Sequence, residues 1–564
     1  MKKIRTRHFR TLGRWGAVAG ASLVLHTASA DSGSAYHEPQ WHPKPPPHRQ
    51  VLPQIDHFIV IYQENWSFDG LYGNFPGANG LANAIGTTTN QLDRVTGQPI
   101  ASLASYDPAS STIPTQNPPV PLNGTQDTRF LSVTSNLNSP SLVNTLLPYS
   151  LEPFNLVAGD FTGDIIHEFW REMSQIHFGT MDRFVTWSDN PGLVMSHFDG
   201  TDLPEGKLAQ QFTLCDNFFH SAFGGSFLNH QFLIAAQPPV YPNAAALIPG
   251  SVAALDPNGE LLLNLNGAGD GSNNGRIYRG GNITPIGGAA YMNPSVKFDQ
   301  NYAVNTIISA NLASGNNPND PKFLPSLNDS DPNDTTRPYT ENIGDRLSAG
   351  GVSWRWYSGG WDRALAVSSS NPANNGVQGT DTSLRRFQWH HQPFAYFDNY
   401  APWVNGVRNP LSAAHVQDED NFFADVAHGK LPQVCFIKPI GENNEHPGYA
   451  DVLQGQVHVA NIVAAVQNNP QLWAHTAIII TYDEHGGRWD HVAPPVRDIW
   501  GPGSRVPAII ISPFAKRHYV DHHQYETLSI LKTIEERFNL APLTSADGSA
   551  SSLEPAFDAV ACRP

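Results

Sequence analysis

Five short runs of consecutive apolar residues punctuate the chain. They are Phe58 to Tyr62 within HFIVIYQEN, Val352 to Tyr357 (VSWRWY), Val434 to Ile437 (VCFI), Ala477 to Tyr482, and Val506 to Ser512 (VPAIIIS). Each is too short for a buried helix and rich in β-branched or aromatic residues, so each predicts a strand. Near-continuous apolarity, with no polar alternation, suits parallel strands covered on both faces. Helical spacing occurs between the last three, as in Val457 to Val466 (VHVANIVAAV), and Glu526 to Phe538 (ETLSILKTIEERF) closes the series. Strand and helix in turn predict an α/β fold with a doubly wound, mostly parallel sheet.

The ends and the middle read differently. Lys2, Lys3, Arg5, Arg7, Arg10 and Arg14 precede the apolar stretch Ala17 to Leu25 and then Ala28-Ser29-Ala30, the pattern of a secretory signal peptide over residues 1–30. Residues 31–54 form a Pro/His-rich lead-in (WHPKPPPHRQ), and residues 55–557 a single catalytic domain. Within it, about residues 250–338 are crowded with Asn, Gly, Pro and Asp and predict a loop-rich insertion or lid. The 47 Gly, 46 Pro and 15% charged residues in 564 describe a loop-rich globular protein. Losing a leader with six basic and no acidic residues takes the formal charge from −16 to −22. So acidic a chain is no nucleic-acid binder and is repelled by anionic bilayers. The leader's apolar run is too short for a stable membrane anchor, so export to the periplasm or the exterior is expected. Of Cys215, Cys435 and Cys562 at least one is unpaired, and Cys215 with Cys435 is a conceivable pair.

Two predicted strands end in acids. IVIYQEN delivers Glu64 and Asn65, and IIITYDE delivers Asp483 and Glu484. Ligands collect beyond the carboxyl ends of strands in open α/β sheets. Three carboxylates and an amide oxygen gathered there would make a hard-oxygen cluster for a divalent cation, although each pair alone also suits a turn or helix cap. In TLCDNFFHSAFGGSFLNHQFLIAA, Ser226 follows Gly224-Gly225, and Asn229 and His230 reach one face if a helix starts at the serine. A hydroxyl at a helix N-terminus faces the end that favours an anion such as phosphate. By itself the segment equally suits Ser226 as a plain N-cap.

QENWSFDGLYG (63–73), LCDNFFHSAFGGSFLNH (214–230), NEHPGYADVLQGQ (444–456) and TYDEHGGRWDHVAPP (481–495) resemble, in that order, motifs of the bacterial phosphoesterase family. That family contains acid phosphatase A and the haemolytic and non-haemolytic phospholipases C. The resemblance runs from about Ile55 to Phe557. It implies an alkaline-phosphatase-like α/β fold with helices on both sheet faces and long loop insertions. It also implies a phosphoester substrate and one divalent metal ion, held by Glu64, Asn65, Asp483, Glu484 and the nucleophile Ser226. His446 matches the active-site histidine taken as general acid, and His390-His391 and His167 match further histidines of the family. Asn229, His230, Asp490 and His491 fall on the substrate side of the same motifs.

Two motifs depart from the phospholipase pattern. Leu228 and His230 flank Asn229 where that pattern has proline and arginine, and Gly486 stands where it commonly has an acid. The expected function is therefore an acid phosphatase cleaving phosphate monoesters through a phosphoserine. A phospholipase C is the alternative, and a non-catalytic secreted binding protein a distant one. A histidine acid predicts an acidic optimum, since imidazole titrates near ~6.5.

Overall fold

All five apolar runs become strands of one eight-stranded sheet in the computed structural model. The structure describes residues 51–84, 89–93, 97–100, 149–151, 157–165, 167–188, 192–238, 340–370, 387–404, 407–498 and 500–558, with three short strands between 252 and 304. The strands of the main sheet are β1 (His57–Gln63), β2 (Thr213–Cys215), β3 (Trp354–Ser358), β4 (Val416–Asp418), β5 (Val434–Lys438), β6 (Thr476–Tyr482), β7 (Ala508–Ile511) and β8 (Tyr519–Asp521). Their order across the sheet is β4-β3-β5-β1-β6-β7-β2-β8. All pairs are parallel except the two made by β7. Among the described residues of the long 483–507 connection there is no α-helix, and β7 returns antiparallel beside β6.

The strand edges follow local chemistry. Pro507 has no N–H to give to a ladder, and β7 starts at Ala508, two residues into the apolar run. Val352 is held by the preceding turn, its N–H on Leu347 O, so β3 starts at Trp354. The missed strands β2, β4 and β8 have three residues each, too few for any period.

Six helices matter below: α1 (Phe68–Tyr72), α2 (Phe169–Ile176), α3 (Pro204–Gln211), α4 (Ser226–Ala235), α5 (Val452–Gln467) and α6 (Thr527–Phe538). α5 begins ahead of the predicted Val457 because Asp451 caps it, accepting from Gln454 N at 2.7 Å. Adjacent strand residues point to opposite faces, and here both faces carry helices. Tyr62 donates to Asn229 O of α4 at 3.3 Å, whereas Tyr482, the register partner of Gln63, donates to Glu205 of α3 at 3.2 Å. β1, β5 and β6 lie at the centre, with Phe58 to Tyr62, Val434 to Ile437 and Ala477 to Ile480 fully buried.

Cys215 on β2 and Cys435 on β5 are buried and unpaired, with β7, β6 and β1 between their strands. The conceivable disulfide does not form. The predicted signal peptide and most of the predicted lead-in lie outside the described residues. Of the predicted insertion, Val252–Ala254, Ile277–Arg279 and Tyr302–Val304 pair into a small three-stranded sheet. Among the described residues no helix is long and apolar enough to cross a membrane.

Candidate active site

Three neighbouring parallel strands end together. Gln63 and Tyr482 are in register, so Glu64 and Asp483 emerge side by side. The 418 residues between the two motifs are bridged directly: Asn65, turned at φ 64°, donates its N–H to Asp483 Oδ1 at 3.3 Å. Glu484 N donates to the same oxygen at 2.9 Å, and Glu484 Oε2 accepts from Gly486 N at 2.6 Å. Gly486 has φ 62°, and a Cβ there would lie 2.3 Å from Asn65 O. The glycine is required because the two acidic loops touch backbone to backbone at this point.

Ser226 sits across from the acids. Gly224, at φ 84° with no room for a Cβ beside Phe169 N, folds the loop tightly, and α4 then starts at Ser226 with Gly225 as its N-cap. The serine is thus not the cap: its Oγ donates to Glu64 Oε2 at 3.2 Å. Glu64 Oε1 pairs with Lys438 Nζ and lies 3.1 Å from His391 Nε2, and Lys438 also donates to Tyr62 O at 3.1 Å. Both polar atoms of Asn229 go to Ala222, Oδ1 accepting from N and Nδ2 donating to O, each at 2.9 Å. Asn229 therefore clamps the loop that carries Ser226.

The histidines show a common arrangement. His230 donates from Nδ1 to Ser226 O at 2.7 Å, His446 to Pro447 O at 2.6 Å, and His167 to Ile165 O at 2.6 Å. A neutral ring bonded this way turns its Nε2 lone pair inward. His230 stacks on His391 with centroids 5.0 Å apart, His390 meets His391 edge-on at 4.2 Å, and His167 meets His446 at 5.8 Å. Burial, then the charge of Lys438, holds His230 well below its usual pKa. His390 is pushed down to about 3 by the same two causes. Burial followed by His390 depresses His391, and burial followed by His167 depresses His446.

The carboxylates go the other way. Burial, then Asp483, pushes both Glu64 and Glu484 well above the carboxylate range. Asn65 Oδ1, Asp483 Oδ2 and Glu484 Oε1 are buried and accept no hydrogen bond. Asn65 Nδ2 faces His167 Nε2 at 3.4 Å, which leaves that Oδ1 as the free end of the amide. Unpartnered buried oxygens beside repelling acids fit a divalent cation by the chemistry of the donor set. Glu64, His230 and His391 also bring ligand atoms within 4.8 Å of one another.

Asp490 and His491 belong to a second network. Asp490 accepts from Asp69 N at 3.1 Å and from Arg505 Nε at 2.8 Å, and His491 Nδ1 meets Asp69 Oδ2 at 2.6 Å. Arg505 also donates to Asp216 O at 2.6 Å and Asn79 O at 2.8 Å and lies over the Phe68 ring. The guanidinium occupies the centre that a cation would need. It is fully buried, so Arg505→Met should destabilise the fold by about 3–5 kcal/mol by leaving Asp490 without its charged partner and Asp69 with His491 alone. Urea denaturation checks this; a loss under about 1 kcal/mol would contradict it.

A helix N-terminus that favours anions, set against acids that need a cation, suits a serine reacting with an anionic ester under metal assistance. That places the protein among the phosphoric ester hydrolases. The chain belongs to the phosphoesterase family, whose family model matches residues 55–541. It is similar to phospholipase C B of Mycobacterium tuberculosis, 23% identical over 523 residues that cover 87% of this chain and 74% of the relative. Non-specific phospholipase C6 of Arabidopsis thaliana is 35% identical over 196 residues, 28% of this chain and 37% of that one. Among solved structures, a phosphonate monoester hydrolase from Silicibacter pomeroyi matches 64% of this chain and 73% of its own at 11% identity and a TM-score of 0.28.

Lys438 was not among the predicted site residues. Its signal was nevertheless present, since VCFIK ends a buried strand in a charge just as IVIYQE and IIITYDE do.

Proposed function

We propose that the protein is a metal-dependent acid phosphatase that hydrolyses phosphate monoesters through a phosphoserine on Ser226. The observation that carries this reading is the Ser226 hydroxyl at the start of α4, donating to Glu64. Its proton points at a carboxylate, which leaves an oxygen lone pair for in-line attack on phosphorus. Glu64, Asn65, Asp483, Glu484 and Ser226 would hold one divalent cation, which when bound lowers the serine pKa and offsets phosphoryl charge. Lys438 adds a fixed buried positive charge, useful for a monoester dianion. His446 is neutral in the free enzyme, and a bound phosphate raises its pKa. His446 then protonates the leaving alkoxide and afterwards takes a proton from the water that attacks phosphoserine. His167, His390, His391 and His230 supply polar contacts around the phosphoryl group, and Asn229 keeps Ser226 in place. Turnover in this scheme rises as pH falls below the usual imidazole value, and the leader directs the enzyme out of the cytoplasm.

A second reading, a phospholipase C acting on choline-type phosphodiesters, draws on the printed names of the relatives. Gly486 speaks for the monoester: any side chain there, an acid included, would collide with Asn65. Rates on p-nitrophenyl phosphate, p-nitrophenylphosphorylcholine and phosphatidylcholine across pH separate the two. A strong preference for the choline esters would overturn the phosphatase reading.

A further inference from the structure

Behind the Ser226 loop lies a buried group that the mechanism does not use: Glu172 on α2, with His220 and His485, all fully buried. Glu172 Oε2 accepts from Gly224 N at 2.7 Å. Its Oε1 accepts from Ser504 N at 2.8 Å and from His220 Nε2 at 2.9 Å. The other ring nitrogen of His220, Nδ1, lies 2.8 Å from Ala222 O. One carboxylate thus grips the FGGS loop at Gly224 directly and at Ala222 through an imidazole. The His485 ring stacks on His220 with centroids 5.4 Å apart at 8°, and its Nδ1 is 3.4 Å from both Glu172 Oε1 and Glu484 Oε2. The chain from the serine loop therefore continues to the loop bearing Asp483 and Glu484.

We propose that Glu172 is a positioning residue for phosphoester hydrolysis, fixing the Ser226 loop in register with the Asp483-Glu484 loop. The three side chains also converge as metal ligands would, within 4.8 Å. Both Glu172 oxygens already accept N–H bonds, however, and the far nitrogen of His220 faces a carbonyl, so these two side chains are committed as a brace; His485 hydrogen-bonds through neither ring nitrogen and joins them by stacking on His220 and by its 3.4 Å approach to the two carboxylates. Burial pushes the Glu172 carboxyl up, but His220 and His485 hold it down at about 2, so it remains an acceptor over any working pH. A shift of one loop against the other by about 1 Å is enough to cost on the order of 100-fold in rate. The inference rests on Ser226 as nucleophile.

The test is Glu172→Gln in the full chain, assayed on whichever of p-nitrophenyl phosphate and p-nitrophenylphosphorylcholine the wild type hydrolyses. Glutamine keeps the shape but sets an N–H donor against either Gly224 N or the Ser504 and His220 donors. The expected result is kcat lower by about 10–100-fold, KM within about twofold, and unchanged bound metal. His220→Gln, a milder break of the same chain, should lower kcat by a smaller factor, and it carries the test if Glu172→Gln does not fold. A folded variant with wild-type kcat, a rise in KM alone, or loss of metal in step with activity would overturn the proposal. Ser226→Ala is run alongside. If it retains turnover, the nucleophile reading fails and this proposal with it; if it is inactive while both brace variants match wild type, Glu172 alone is refuted.

Discussion

Ser226→Ala is expected to lower turnover by about 10⁴-fold or more and to abolish any phosphorylated enzyme trapped by acid quench. The size of the effect follows from what remains. Lys438, the histidines and the acidic loops would still bind an anionic ester, but no other hydroxyl hydrogen-bonds to Glu64 among the described residues. The fold should survive. Ser226 is the first helical residue and Gly225 the cap, so alanine removes no capping bond, and the lost contact to Glu64 is worth about 1–3 kcal/mol. His230 still bonds to the backbone oxygen at that position, and Asn229 still clamps Ala222. A variant that folds, holds metal and keeps more than about a tenth of the wild-type rate would remove the serine from its role.

The same residues show why much of this was readable in the sequence. Parallel central strands must be apolar on both faces, so any charge at their ends is conspicuous, and the carboxyl ends are where an α/β sheet receives ligands. That rule picks out Glu64, Asp483 and Glu484 and, applied evenly, would have picked out Lys438. Ser226 was legible because a glycine pair before a helix-forming stretch marks a close backbone approach. What stayed hidden depends on three-dimensional pairing. β2, β4 and β8 are strands only because neighbouring strands offer them a ladder. That Asn229 bonds Ala222 through both polar atoms was not readable from the motif, because its reach depends on how the glycine loop folds back. Glu172 lies in an ordinary helix, and nothing in FWREMSQI shows that its carboxylate is aimed at Gly224.

Asp483→Asn is expected to remove bound metal and, with it, at least about 10³-fold of activity, while making the metal-free protein more stable than metal-free wild type. Asparagine can keep Oδ1 as acceptor for Asn65 N and Glu484 N, so the two loops stay joined. The unpartnered Oδ2 becomes an N–H group, which repels a cation. The gain in stability has a definite sign. After burial, the charge of Asp483 is the largest influence raising the Glu64 and Glu484 carboxyls. A carboxyl whose folded pKa exceeds its unfolded value holds more protons folded than unfolded, so metal-free stability falls as pH rises from the unfolded carboxyl pKa, about 4.3, through the folded one. Removing the Asp483 charge shrinks that loss. In wild type the same protons must leave before a cation binds, so metal affinity falls as pH falls, and the gap in Tm between metal-loaded and chelator-treated protein widens as pH rises. Metal analysis and paired thermal melts at several pH values read all three effects. Undiminished metal in Asp483→Asn, or a Tm gap that does not change with pH, would show that the acids at the ends of β1 and β6 are not where the cation is held.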